Sequence, residues 1–231
     1  AAMTPCDCAT RRLSTGRAVR QHGAMLRILG KASSINVRKV LWACAEIGVV
    51  YEHESWGSGF RPTDVPEFLA LNPNALVPVI EDENGVLWDS NRICRYLAAK
   101  HGRTDLLPAA PWPRAQVERW MDWQATDLNA AWRDAFMGLV RRDPAFADPG
   151  RIAAGVAKWN AMMAILDGRL AATGAFVAGP AFTLADIVIG LSVNRWLMTP
   201  MDRPALPAVA AYVRRLEDRP AWHAFGANGT P

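Results

Sequence analysis

The chain is 231 residues long, 51% apolar and 21% charged, with four cysteines. That length holds one large domain or two small ones, and the globular composition excludes a disordered chain. Four cysteines are too few for a disulfide scaffold and point to a reducing cytosol.

The net charge of +4 means little until it is located. Residues 1–24 carry Arg11, Arg12, Arg17 and Arg20 against Asp7 alone, so the remainder is nearly neutral. No basic stretch interleaves with aromatics and no reading motif appears, so nucleic acid is not an expected partner. No run approaches about eighteen consecutive apolar residues, so no membrane span is expected either. Residues 1–24 lack helical or strand periodicity and read as a disordered leader or tag, with Ala1-Ala2 before Met3 as a remnant. Cys6-Asp7-Cys8 has no second ligand pair nearby, so no metal is expected.

From Leu26, a short apolar strand runs into Gly30-Lys31-Ala32-Ser33-Ser34. Val37, Val40, Leu41, Cys44 and Ile47 then recur at helical spacing, with Ser33 or Ser34 as N-cap and Gly48 as stop. Residues 49–53 read as a second strand, so the chain opens with a strand–helix–strand unit that pairs its strands in parallel. A Gly-rich stretch leads to a short helix over 66–71. Strands over 77–80 and 86–88 flank the turn Asp82-Glu83-Asn84-Gly85, a hairpin. Ser90 opens a helix that ends near Gly102. This β-α-β-α-β-β-α order predicts a thioredoxin-like domain over 25–102. Pro108, Pro111 and Pro113 mark a linker over 103–112. Residues 113–231 predict an all-α domain with helices over 113–141, 151–172, 183–198 and 207–218. Trp120, Trp123, Trp132, Trp159, Trp196 and Trp222 lie there, most of them as packing between helices.

Four stretches at these joints carry a resemblance: Gly30 to Trp42, Asn72 to Ile80, Leu87 to Leu97, and Phe182-Thr183-Leu184-Ala185-Asp186-Ile187. In this order and spacing they resemble the soluble bacterial glutathione transferases, including the enterobacterial members active on haloacetates. The resemblance spans about residues 25–226. It implies a thioredoxin-like domain followed by an all-helical bundle, a homodimer in the cytoplasm, and glutathione as co-substrate with a small electrophile.

It also implies roles for particular residues. Val77, before a cis Pro78, pairs with the cysteinyl backbone of glutathione like an added strand. Ser90 and the helix N-terminus receive the γ-glutamyl carboxylate, and Asp89 receives the ammonium. Most family members carry Glu at the Asp89 position, and the shorter arm bears on that ammonium contact. Thr183-Leu184-Ala185-Asp186 reads as a capping box with a folding role.

The chemistry is thiol activation. A thiol of pKa about 8.5 is only a few per cent thiolate at pH 7. Lowering that pKa by about two units takes roughly 2.7 kcal/mol, which one charge-assisted hydrogen bond at a helix N-terminus supplies. The tyrosines are Tyr51, Tyr96 and Tyr212, and Cys44 lies two turns into the helix, so neither type fits this turn. Alignment with members that pair a hydroxyl and an asparagine assigns activation to Ser34 and Asn36, with Ser33 in reserve. In the bundle, Arg133 and Arg141 match arginines of the haloacetate-active relative, and Arg195 joins them as candidates for a substrate carboxylate or leaving group. Two other functions compete: glutathione-dependent reduction of peroxides or disulfides, and a non-catalytic binding module on the same fold.

Overall fold

Leu26–Leu29 forms β1, whose apolar side chains are buried on the sheet, and Ile35–Ile47 forms α1. A computed structural model describes residues 25–231, so the expectations for 1–24, Cys6-Asp7-Cys8 among them, lie outside the described residues. Ser34 occupies the N-cap of α1 with extended backbone, but its hydroxyl makes no capping bond. Gly48 ends the helix in the left-handed conformation, its N–H donating to Cys44 O.

β2 is Tyr51–Glu54 rather than the expected 49–53. Gly48 turns the chain out of α1, and Val50 is left 78% exposed on the way to the sheet. The short α2, Pro66–Leu69, buries Phe68 against Trp56. β3 is Val79–Asp82, two residues later than the expected 77–80, because Pro78 has no N–H for the ladder. β4 is Gly85–Trp88. β1 pairs in parallel with β2 and antiparallel with β3, giving the order β2-β1-β3-β4. α3, Ser90–Lys100, packs beside α1.

The remaining elements are helical. The single helix expected over 113–141 is instead two, α4 (Pro111–Trp123) and α5 (Asn129–Leu139), joined by one wide π-turn over Gln124–Leu128. α4 begins two residues early because Pro111 suits the first helical turn, where its missing N–H has no partner to lose. α6, Pro149–Thr173, starts from Asp148, whose carboxylate accepts the Arg151 N–H at 2.6 Å. α7, Leu184–Met198, is the spine of the bundle, and every residue from Leu184 to Trp196 is buried. α8, Pro207–Glu217, and a second π-turn over Trp222–Gly226 close the chain.

Tryptophan packing follows the expectation in part. Trp159, Trp196 and Trp222 are buried, while Trp120, Trp123 and Trp132 are half-buried and Trp112 is exposed. The sheet domain and the bundle meet along α1, where the Trp42 ring lies 5.6 Å from Trp222 and 6.1 Å from Phe182. Arg38, one turn earlier, is buried and donates to Gly226 O, Asn228 Oδ1, Thr230 O and Pro231 O. The capping box forms as expected: Asp186 Oδ2 accepts from Thr183 N and Oγ1, at 2.8 and 3.1 Å, and Oδ1 accepts from Val177 N at 2.9 Å. This fold is the thioredoxin-like sheet domain followed by an all-helical bundle that the sequence predicts.

Candidate functional site

Two helices begin beside one turn of the sheet domain. β1 leads through Gly30 to α1, and β4 leads through Asp89 to α3. The first N–H groups of each helix have no partner within it, so two positive helix ends face the same space. Gly30 permits the approach. Its φ is +146°, and a Cβ there would lie 2.5 Å from Val37 Cγ2 and 2.9 Å from Val77 Cβ.

Between the two helix ends lies a cleft of about 280 Å³, whose lining includes Asn36, Asn74, Val77, Pro78, Asp89 and Ser90. The Val77-Pro78 bond is cis. The turn ahead of it is held by Asn72, buried beneath, which donates to Leu76 O at 2.7 Å and accepts from Asn74 N at 3.1 Å. Asn72 opens the stretch Asn72 to Ile80, and its role in holding this turn comes from the structure. An asparagine two residues before another polar turn residue is a local signal that could have found it.

Asp89, not Ser90, is the N-cap of α3. It holds a positive φ of 77°, and its Oδ1 accepts the Arg92 N–H at 3.0 Å. That frees the Ser90 hydroxyl from capping. It donates across the cleft to Asn36 Oδ1 at 3.5 Å, a long contact that leaves Nδ2 as the donor of the Asn36 amide.

Asn36, Val77, Pro78, Asp89 and Ser90 are therefore brought together. Ser34 stands at the head of α1 with its hydroxyl unused by the cap, and Ser33 is exposed; neither lines the cleft. Cys44 and Cys94 are buried, and desolvation pushes both thiols up to about 12, so neither offers a thiolate near neutrality.

The three arginines separate. Arg195, on α7, is only 4% exposed, with its guanidinium 4.3 Å over Phe136 and 4.6 Å over Trp132. Its Nε is buried without a hydrogen bond, and no carboxylate pairs with it among the described residues. Burial, with Arg38 and Arg141 nearby, holds its pKa below the usual guanidinium range. Arg141 reaches the same Phe136 ring at 5.6 Å, whereas Arg133 lies over Phe146 and does not join them. A buried cation without an acid partner, as Arg195 is, is uncommon, and the exposed Arg141 meets it at one aromatic wall.

Lys39 and Gln124 are further buried polar residues that sequence reasoning did not single out. Lys39 Nζ donates to Gln124 Oε1 at 2.7 Å and to Asn91 Oδ1 at 3.3 Å. Burial lowers the Lys39 pKa to about 8. Among the described residues no group of three or more His, Cys, Asp or Glu could hold a metal, and no helix is long and apolar enough to cross a membrane.

Known proteins resemble this chain in sequence and fold. Residues 33–100 match the family described as glutathione S-transferase, N-terminal domain. The glutathione S-transferase GstB of Escherichia coli K12 is 36% identical over 85% of this chain and 95% of its own length. A theta class glutathione S-transferase from Xanthomonas axonopodis pv. citri, solved with glutathione bound, superposes with a TM-score of 0.81 at 40% identity, covering 87% of this chain and 96% of that one. A probable elongation factor 1-gamma of Arabidopsis thaliana is 31% identical over 67% of this chain but 38% of its own length. Similarity of this extent, across both the sheet domain and the bundle, places the chain in the glutathione S-transferase family, with a resemblance to its bacterial theta-class members.

Proposed function

We propose that this chain binds glutathione in the cleft between the starts of α1 and α3 and delivers its thiolate to a small electrophile, with haloacids as the substrate class. The observation that carries the reading is the convergence of two helix N-termini on one cleft whose third wall is the residue before a cis proline. A tripeptide with a carboxylate at one end, an extended backbone in the middle and a thiol suits those three features. Ser90 and the α3 N–H groups hold the γ-glutamyl carboxylate, Asp89 faces the ammonium, and Val77 pairs with the cysteinyl backbone. Capping Arg92 occupies Asp89 Oδ1 and leaves Oδ2 for that ammonium.

The sulfur then lies at the head of α1. Ser34 donates to the thiolate, Asn36 Nδ2 supports it from the cleft wall, and Ser33 is the reserve donor. In the substitution, the thiolate sulfur attacks the α-carbon of the haloacid, a C–S bond forms, and halide leaves with the C–X electron pair. Arg195 and Arg141 on the Phe136 wall receive the substrate carboxylate. An anion there would relieve a buried, unpaired guanidinium. Arg133 plays a smaller part, since it faces Phe146. In the same reading the protein acts as a homodimer in the cytoplasm, where glutathione is reduced; light scattering reads the first.

The test is the thiol pKa of bound glutathione, followed by thiolate absorbance across pH. Ser34→Ala raises it by about one to two units, the worth of one hydrogen bond to an anion. An unchanged pKa and turnover would remove Ser34 from the mechanism and leave Asn36 or Ser33 to be tried. Calorimetry with no heat from millimolar glutathione would instead favour a non-catalytic module. Side-by-side assays with bromoacetate and an organic peroxide separate substitution from reduction.

A further inference from the structure

Lys39 sits on the inner face of α1, where the sheet domain meets the bundle, and is 2% exposed. No carboxylate lies within salt-bridge distance of its ammonium among the described residues. Two neutral amide oxygens meet it instead, Gln124 Oε1 from the π-turn and Asn91 Oδ1 from α3. Asn91 directly follows Ser90, and its Nδ2 donates to Met121 O at 2.9 Å. On the other side, Gln124 Nε2 donates to Asn129 Oδ1 at 3.0 Å, and the same oxygen accepts from Trp132 Nε1 at 2.8 Å. Trp132 carries Arg195 over its ring. An unbroken polar chain thus runs Asn91–Lys39–Gln124–Asn129–Trp132, from the start of α3 to the aromatic wall of the bundle.

A packing role alone does not account for a charge here. A buried ammonium held only by neutral oxygens is costly, and an apolar side chain of the same length would serve packing as well or better. The π-turn points the same way. It widens the helix between Gln124 and Asn129, the pair hydrogen-bonded across it, and such turns recur at functional sites.

We propose that Lys39 is a positioning residue that couples the two halves of the site: its ammonium draws Asn91 and Gln124 together, and so fixes the start of α3 relative to the Trp132 wall. This rests on the glutathione reading of the cleft. A ligand that orders one end of the chain then favours the geometry the other end needs. The charged and titratable groups around Lys39 are Cys94, Asp89 and Arg195; Asp89 favours its charge, Arg195 opposes it, and the buried Cys94 thiol stays neutral near neutrality.

The test compares Lys39→Met, Gln124→Leu and Gln124→Glu in steady-state kinetics with glutathione and bromoacetate, alongside thermal unfolding. Lys39→Met is expected to raise the KM of both substrates roughly tenfold, the scale of one lost charge-assisted hydrogen bond. Its unfolding temperature changes little, because loss of the buried charge offsets the two amide oxygens left without a donor. Gln124→Leu raises both KM values while leaving Lys39 in place, and Gln124→Glu, which keeps the acceptor for Lys39 but loses the Nε2 donor to Asn129 Oδ1, raises them clearly less. The Lys39→Met/Gln124→Leu double variant is no worse than Lys39→Met alone.

Wild-type KM values in Lys39→Met would overturn the proposal, as would Gln124→Leu and Gln124→Glu behaving alike. If Lys39→Met does not fold, the Gln124 pair decides by itself. Ser90→Ala run in parallel isolates the underlying reading. Unchanged glutathione affinity there removes the cleft assignment, whereas lost affinity beside a wild-type Lys39→Met removes only the coupling.

Discussion

Asp186 accepts three hydrogen bonds with two oxygens while fully buried. Burial pushes its carboxyl up to about 6, against the donors that pull it down. Asparagine keeps the shape but has one acceptor oxygen, so Asp186→Asn turns an amide donor toward Thr183 or Val177. We expect a loss of about 1–3 kcal/mol in urea unfolding with glutathione KM unchanged. The sign of the pH effect follows from the raised pKa. The folded state binds the proton more tightly than the unfolded one, so the Asp186 contribution is greatest below the unfolded carboxylate value and declines as pH rises through about 6. The deficit of Asp186→Asn is therefore larger at about pH 4 than at about pH 7. A deficit that grows with pH would contradict the assignment. Arginine chemistry belongs to the same scale. Arg195→Leu removes a buried guanidinium from Phe136 and Trp132, and under the haloacid reading it raises bromoacetate KM at least about tenfold while a neutral electrophile is spared.

Among the elements, the turn from β1 into α1 sets the distance to the cis-proline turn. Gly30→Ala places a Cβ against Val37 and Val77 in a backbone conformation that alanine avoids. Overpacking with strain predicts a loss of about 2–4 kcal/mol, and the displaced Val77 raises glutathione KM as well. Unfolding curves and kinetics on the same preparation check both; an unstrained, fully active variant would deny the close approach. The helix starts were legible in the sequence because small polar residues and an acidic cap are local signals. That Asp89 caps α3 and releases Ser90 was not legible. Either residue suits the position by type, and the positive φ that decides between them comes from the strand leaving the sheet.

For the molecule as a whole, Arg38 holds the last residues onto α1 by donating to backbone oxygens of 226, 230 and 231. Arg38→Met removes the donor from Gly226 O and Pro231 O, while Thr230 O keeps Asn194 Nδ2. We expect about 2 kcal/mol of destabilisation, a fall of roughly 4–8 °C in Tm, and faster proteolysis beyond residue 226. A tail equally protected in both proteins would show that Arg38 does not secure it.

Through its resemblance to the glutathione transferases the sequence pointed to Asn36, Val77, Pro78, Asp89 and Ser90, and also to Ser33 and Ser34, which do not line the cleft. By itself it determined the β-α-β-α-β-β-α order, the thioredoxin-like domain with its helical bundle, and the capping box. Each is written in short windows: periodicity, caps, one proline, one acidic residue three places after a threonine. Only the tertiary structure decided which polar groups share a buried space. Lys39 meets Asn91 and Gln124 across 52 and 85 positions of chain, and the π-turn that aims Gln124 is invisible to a helical pattern read at 3.6 residues per turn. The same holds for Arg195, one more arginine by composition, which packing alone makes a buried cation on an aromatic wall. Local spacing records what a segment prefers, but desolvation and pairing are properties of what the folded chain places next to it.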